Sequence, residues 1–126
     1  MLEELSIVRL ASALARHSTA RHRVIAENVA NSDTPNYRAR DIKAFGDYVN
    51  EGFTARVTRA GHIPTAPEMA RPQIIEDETS LMSPNGNSVS VEGEMVKAVE
   101  AQGRHALAQM VYRKAHEFMR LGLGRR

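Results

Sequence analysis

At 126 residues the chain has the length of one domain, expected to span 1–126. Seventeen basic against 15 acidic residues leave a net charge of +2, so the sequence pI of about 9.3 overstates its basicity. The absence of cysteine excludes disulfides and thiolate metal sites, and six aromatic residues with no tryptophan exclude a thick aromatic core, a situation small folds often relieve by assembling.

Charge is spread unevenly: residues 1–23 carry +2, 24–67 carry 0, 68–100 carry −5 and 101–126 carry +5. Such polarity suits head-to-tail packing of like subunits or an acidic partner for the tail, beside the plainer reading of solvated helix faces. Met1-Leu2-Glu3-Glu4 has no basic segment followed by an apolar one, so no cleaved secretory signal is expected. No apolar run approaches the roughly 20 residues of a membrane span, so none is expected.

All five prolines lie between positions 35 and 84, so two long proline-free ends flank a broken middle. The first end reads as a helix to about residue 31. Ile7, Leu10, Leu14, Ile25 and Val29 form its apolar stripe, with Ser18 and Arg21 in the places between. The spacing repeats every 11 residues, slightly above 3.6 per turn, which predicts a nearly straight or gently right-handed stripe on the order of 40 Å long. The segment His17–Arg23 is too polar for an isolated buried core.

Asp33, Thr34 and Pro35 stop this helix, because the residue before a proline is pushed out of the α region. Asn36 tolerates a left-handed turn conformation. Asp41 reads as the cap of a short helix bearing Ile42, Phe45 and Tyr48 or Val49. Phe53, Ala55 and Val57 alternate with Thr54, Arg56 and Thr58 as a weak strand signal. Residues 61–73 read as an extended loop, 73–76 as another short strand, and Pro84-Asn85-Gly86-Asn87 as a turn.

The second helix is expected over 90–122, with Ser90 as its N-cap and Glu92 and Glu94 near its positive end. Its stripe is Val96, Val99, Gly103, Leu107, Met110, Lys114, Phe118 and Leu121, again with an 11-residue period. Gly103 predicts a close helix–helix contact, since glycine inside a helix costs about 1 kcal/mol against alanine. The fold expected is mainly α: two long terminal helices (1–31 and 90–122) packed as an antiparallel, coiled-coil-like hairpin with their stripes facing each other. An irregular middle, 32–89, rich in proline and glycine, contains short strands.

No catalytic site is expected. His17 and His22 are five residues apart, so they do not share a metal as an i, i+4 pair would, and His62, His105 and His116 show no ligand spacing. Solvated or interface histidines are the expectation. There is no Gly-rich phosphate loop and no nucleophile elbow, and Glu76-Asp77-Glu78 reads as a solvated acidic run. Arginine outnumbers lysine 14 to 3, which raises nucleic acid as a partner. The low net charge and the lack of a recognised module argue against it, and the arginines are assigned to protein–protein contacts.

Asn28-Val29-Ala30-Asn31 with Thr34-Pro35-Asn36-Tyr37-Arg38 resembles the A-N-x-x-T-P-G-Y signature that closes the first helix of flagellar axial proteins. Asn36 replaces the glycine, as the next-best residue for a left-handed turn. Arg38-Ala39-Arg40-Asp41, Gly61-His62-Ile63 and the run Gly86 to Met95 (G-N-x-V-x-L/V-x-x-E-M) resemble segments of the short proximal rod subunits of that family. The resemblance covers both ends and the turn well, and residues 43–80 poorly. It implies a structural subunit of the basal-body rod in the periplasm, with no enzymatic activity and no cofactor. It further implies export through the flagellar apparatus without a cleaved signal. The implied partners are further copies of itself, other proximal rod proteins, the basal rod adaptor protein and the export-gate proteins. The stripe residues would then form the assembly interface, and Asn28, Asn31, Thr34, Pro35, Asn36, Tyr37 and Arg38 the turn motif.

Overall fold

A computed structural model describes residues 2–52 and 72–124. Two long helices, α1 (Leu2–Ala30) and α3 (Val91–Gly122), pack against each other. Their direction is antiparallel: Asn28 meets Glu94, Arg21 meets Glu100, and Ala11 and Ala15 lie across from Ala108 and Tyr112. Between them come β1 (Arg40–Ile42), α2 (Phe45–Gly52) and β2 (Ile74–Glu76). β1 and β2 form an antiparallel pair, with Arg40 opposite Glu76 and Ile42 opposite Ile74. The alternating stretch 53–57 and most of the loop expected over 61–73 lie outside the described residues. Among the described residues no helix is long and apolar enough to cross a membrane.

The helix ends follow local chemistry. The last turn of α1 tightens, with the Asn31 and Ser32 amides donating to the Asn28 and Val29 carbonyls. Asn36 then takes a left-handed conformation, φ 61°. Ser90 is extended, and its hydroxyl accepts from the Gly93 amide at 3.2 Å, which satisfies one orphan donor of α3.

The packing of the hairpin corrects two expectations. First, the buried positions of α3 are Glu94, Ala101, Ala108 and Ala115, and those of α1 that share their spacing include Ala11, Ser18 and Ile25. The seam therefore repeats every seven residues, the left-handed coiled-coil period, and not every 11. Second, the predicted stripe of α3 points away from α1. Val99 is 70% exposed, Leu107 49%, Met110 51% and Phe118 63%, and Val96 and Leu121 are also exposed. In α1 the expected stripe survives in part: Ile25 is buried and Leu14 half-buried, while Ile7, Leu10 and Val29 are exposed. Alanine methyls form the floor of α3 because small side chains let helix axes approach closely.

Gly103 sits on this outer face, and a Cβ added there would meet nothing within 4 Å. The expected close contact is absent. Gly103→Ala should therefore stabilise the isolated chain by up to about 1 kcal/mol, read as a higher midpoint in urea unfolding. A lower midpoint would show a contact at Gly103.

The middle of α1 is largely buried in spite of its polarity, because most polar groups there are answered; His17 Nδ1 is buried without a hydrogen-bond partner. Ser18 donates to the Leu14 carbonyl at 2.9 Å. His17, expected at the solvent or an interface, is instead buried under α2. Its Nε2 lies 2.8 Å from the Lys43 carbonyl, and its ring stands edge-on to Phe45 and Tyr48. A carbonyl only accepts, so Nε2 carries the hydrogen. Tyr48 accepts from the Gln73 amide, joining α2 to the residue before β2. Asp41 does not cap α2. It lies in β1 and takes a two-pronged bond from Arg21, whose Nε and Nη2 each stand 3.0 Å from its carboxylate oxygens. Arg21 also reaches Glu100 at 3.3 Å, so one guanidinium ties α1, β1 and α3 together.

Candidate assembly site

Two features of the hairpin bear on function: a polar lock at the turn and an apolar outer face on α3. The lock is centred on Asn28, fully buried in the last turns of α1. Its Nδ2 donates to the Arg40 carbonyl at 2.6 Å and to Glu94 Oε2 at 3.0 Å. Its Oδ1 accepts from the Arg40 amide at 3.1 Å and the Tyr37 hydroxyl at 3.3 Å. All four bonding positions of the amide are thereby filled. Glu94, also buried, is charge-paired through Oε1 with Lys97 at 2.8 Å, and Lys97 reaches Asp77 at 2.5 Å. A buried carboxylate is tolerable only with such partners.

A second buried amide, Asn87, holds the other side of the turn. Its Nδ2 donates to the Asn31 and Thr34 carbonyls at 2.9 and 2.8 Å, and its Oδ1 accepts from the Val89 amide at 2.7 Å. Ser88 Oγ accepts from the Ala39 amide at 2.8 Å. The Asn36 amide donates to the Asn85 carbonyl, so the 83–87 turn lies directly on the 34–37 turn. Gly86 is needed there twice over: its φ is +79°, and a Cβ would collide with Asn36 Oδ1 and stand 3.3 Å from the Asn36 Cα.

The turn-motif residues thus separate by role. Asn28, Asn31, Thr34 and Tyr37 are bonded into the lock, and Asn36 supplies the left-handed step. Pro35 and Arg38 are exposed. Sequence reasoning missed Glu94, Asn87, Ser88 and Lys97 as members of the lock. The available signal was the acid at position 94, in seven-residue register with Ala101, Ala108 and Ala115, where charge is expected only if paired.

Asp77 gives the lock an acid sensitivity. Burial raises its pKa, but bonds from Lys97, Thr79 and Ser80 outweigh that and hold the carboxyl well below its usual 3.8. A depressed folded-state pKa stabilises above the unfolded value, and the contribution is lost as pH falls through the folded one. Wild-type stability should therefore decline below about pH 4, and Asp77→Asn should be less stable at neutral pH with a flatter acid limb in urea unfolding. Parallel pH profiles would contradict this assignment.

The outer face is the complementary feature. The buried apolar contribution of α3 to the seam is three alanines, about 0.8 kcal/mol for each methyl. Val96, Val99, Leu107, Met110, Phe118 and Leu121, each worth about 1.5–3 kcal/mol when fully buried, remain half to three-quarters exposed. The larger share of the transfer free energy in α3 is thus unused in the isolated chain. From Val96 to Leu121 the stripe runs about 38 Å at 1.5 Å per residue. Among the described residues no group of three or more histidines and carboxylates is gathered for a metal.

No family model matches the chain. Two curated proteins do, over most of their length. The flagellar basal body rod protein FlgB of Agrobacterium fabrum is 27% identical over 126 residues, covering 94% of this chain and 92% of that protein. The flagellar basal body rod protein FlgB of Bacillus subtilis is 29% identical over 99 residues, covering 77% of this chain and 76% of that one. Over most of its sequence, the turn signature included, the chain is thus similar to flagellar basal body rod proteins.

Proposed function

We propose that the chain is a structural subunit of the proximal rod of the bacterial flagellar basal body, without catalytic activity. The observation that carries this reading is the outer stripe of α3, whose large apolar side chains face away from α1 while alanines serve the seam. A helix apolar on the side its own fold leaves open needs a neighbour. Neighbouring helices in a tubular assembly would cover it, and many such contacts would give the tube the stiffness to transmit torque and a wall around an export channel. Ile7, Leu10 and Val29 on α1 would add to the same interfaces; Leu14 and Ile25 hold the subunit's shape, and Gly103 lies on the open face. The rod reading places the chain in the periplasm, exported without a cleaved signal. Its partners there would be copies of itself, other proximal rod proteins, the basal rod adaptor protein and the export-gate proteins. The similarity to two rod proteins supports the reading along most of the chain.

Deleting the gene in the native host and imaging basal bodies tests it. Basal bodies should stop at the membrane ring without a rod, and the gene supplied in trans should restore rods and swimming. Rods and motility that persist without the gene would overturn the proposal.

A further inference from the structure

One side of the hairpin carries a groove between the N-terminal half of α1 and the C-terminal half of α3, with a volume of about 560 Å³. Ala11, Ala15, Ala108 and the ring of Tyr112 line it, and the exposed Arg16 and Arg113 border it. It exists because small residues face each other across the seam where Tyr112 turns its ring aside toward His116, 4.6 Å away between centroids. Among the described residues neither bordering arginine has a carboxylate within ion-pair distance. The groove therefore offers an apolar floor flanked by two guanidinium groups with no bonded carboxylate, although Arg113 is drawn at longer range to Glu117.

The chain itself contains the complement. Residues 74–82 expose Ile74, Ile75, Leu81 and Met82, and Leu81, at 93%, is almost wholly in solvent. Glu76 and Glu78 are exposed in the same stretch, whereas Asp77 is committed to Lys97. This segment is anchored far from its own groove. Asp77 is tied to Lys97, and the Ser83 amide to the Asn87 carbonyl, both near the turn end of the hairpin. Ala108 lies 11 helical residues beyond Lys97, about 16 Å away.

We infer that the groove seats the Ile74–Met82 segment of a second copy of this chain, with Leu81 on the alanine floor and Glu78 facing Arg16 and Arg113. The inference rests on the reading of the chain as an assembly subunit and names one contact within it. The contact also brings Glu78, from the acidic stretch 68–100, to Arg113, from the basic stretch 101–126 of the next copy.

The lack of native cysteine allows a direct test. Chains carrying Ser12→Cys, beside the groove, and chains carrying Met82→Cys are produced together in the native host in place of its own copy. Basal bodies are then treated with a short bismaleimide. A dimer joining the two variants is expected. Its yield should fall about tenfold when Arg16→Glu and Arg113→Glu are added to the groove chain, and should recover when Glu76→Arg and Glu78→Arg are added to the other. A missing dimer in basal bodies that are otherwise complete would overturn the groove contact and leave the assembly reading intact, as would a dimer indifferent to these charges. Absence of the chain from basal bodies altogether would overturn the assembly reading and the contact with it.

Discussion

Asn28→Ala should lower the unfolding free energy of the isolated chain by about 3 kcal/mol. The side chain fills four hydrogen bonds in a fully buried position, and its loss strands the Arg40 amide, takes away the acceptor of the Tyr37 hydroxyl and removes one of the partners of the buried Glu94 carboxylate. Leaving a buried polar group unmet costs roughly 1–3 kcal/mol, and more for a charged one. The Arg40 carbonyl also loses its donor. Urea unfolding of the purified chain measures the effect, and the midpoint should fall without a change in slope. Because Lys97 still pairs with Asp77 when Glu94 is replaced, Glu94→Gln should do less damage than Asn28→Ala. A loss under about 1 kcal/mol for Asn28→Ala would mean that the amide is not the centre of the lock.

Leu107→Asp should abolish incorporation into basal bodies while leaving the isolated chain folded. Leu107 is 49% exposed on the outer stripe, so aspartate there stays hydrated in the free subunit, and the change in stability should remain within about 0.5 kcal/mol apart from the small helix preference of leucine. Inside an apolar contact the same carboxylate would be unpaired, at several kcal/mol for each subunit. Helix content by circular dichroism and rod assembly in cells measure the two halves of this expectation. Collapse of the isolated fold would place Leu107 in the subunit's own core, against the packing described.

Much of this architecture was legible in the amino-acid order. Prolines confined to 35–84 separate the two helices, Asn36 marks the left-handed step, and Ser90 marks the start of α3. The inward face of α3 was not legible. Reading a stripe from its largest apolar residues assumes that those residues meet the partner helix. Here the partner meets Ala101, Ala108 and Ala115, on the opposite side from Val99 and Met110, because a close seam favours small side chains. Alanine is both a strong helix former and a small packing residue, so its pattern does not stand out in a helix that contains it for either reason. His17 and Asp41 were misplaced for a related cause. Their partners, the Lys43 carbonyl and Arg21, are 26 and 20 residues distant, and no local pattern brings them together. The turn motif was read correctly as a bend, but its chemistry depends on Asn87 and Glu94, more than 50 residues further on.

In the proposed assembly the outer face of α3, open in the free subunit, is covered by neighbouring helices. The absence of cysteine makes a single Val99→Cys variant an unambiguous reporter, with Ala101→Cys as its buried counterpart. Maleimide labelling is measured on the purified chain and on isolated basal bodies. Such covering predicts rapid labelling of position 99 in the free chain, at least about tenfold protection in the basal body, and slow labelling of position 101 in both. Equal labelling of position 99 in the two states would contradict it.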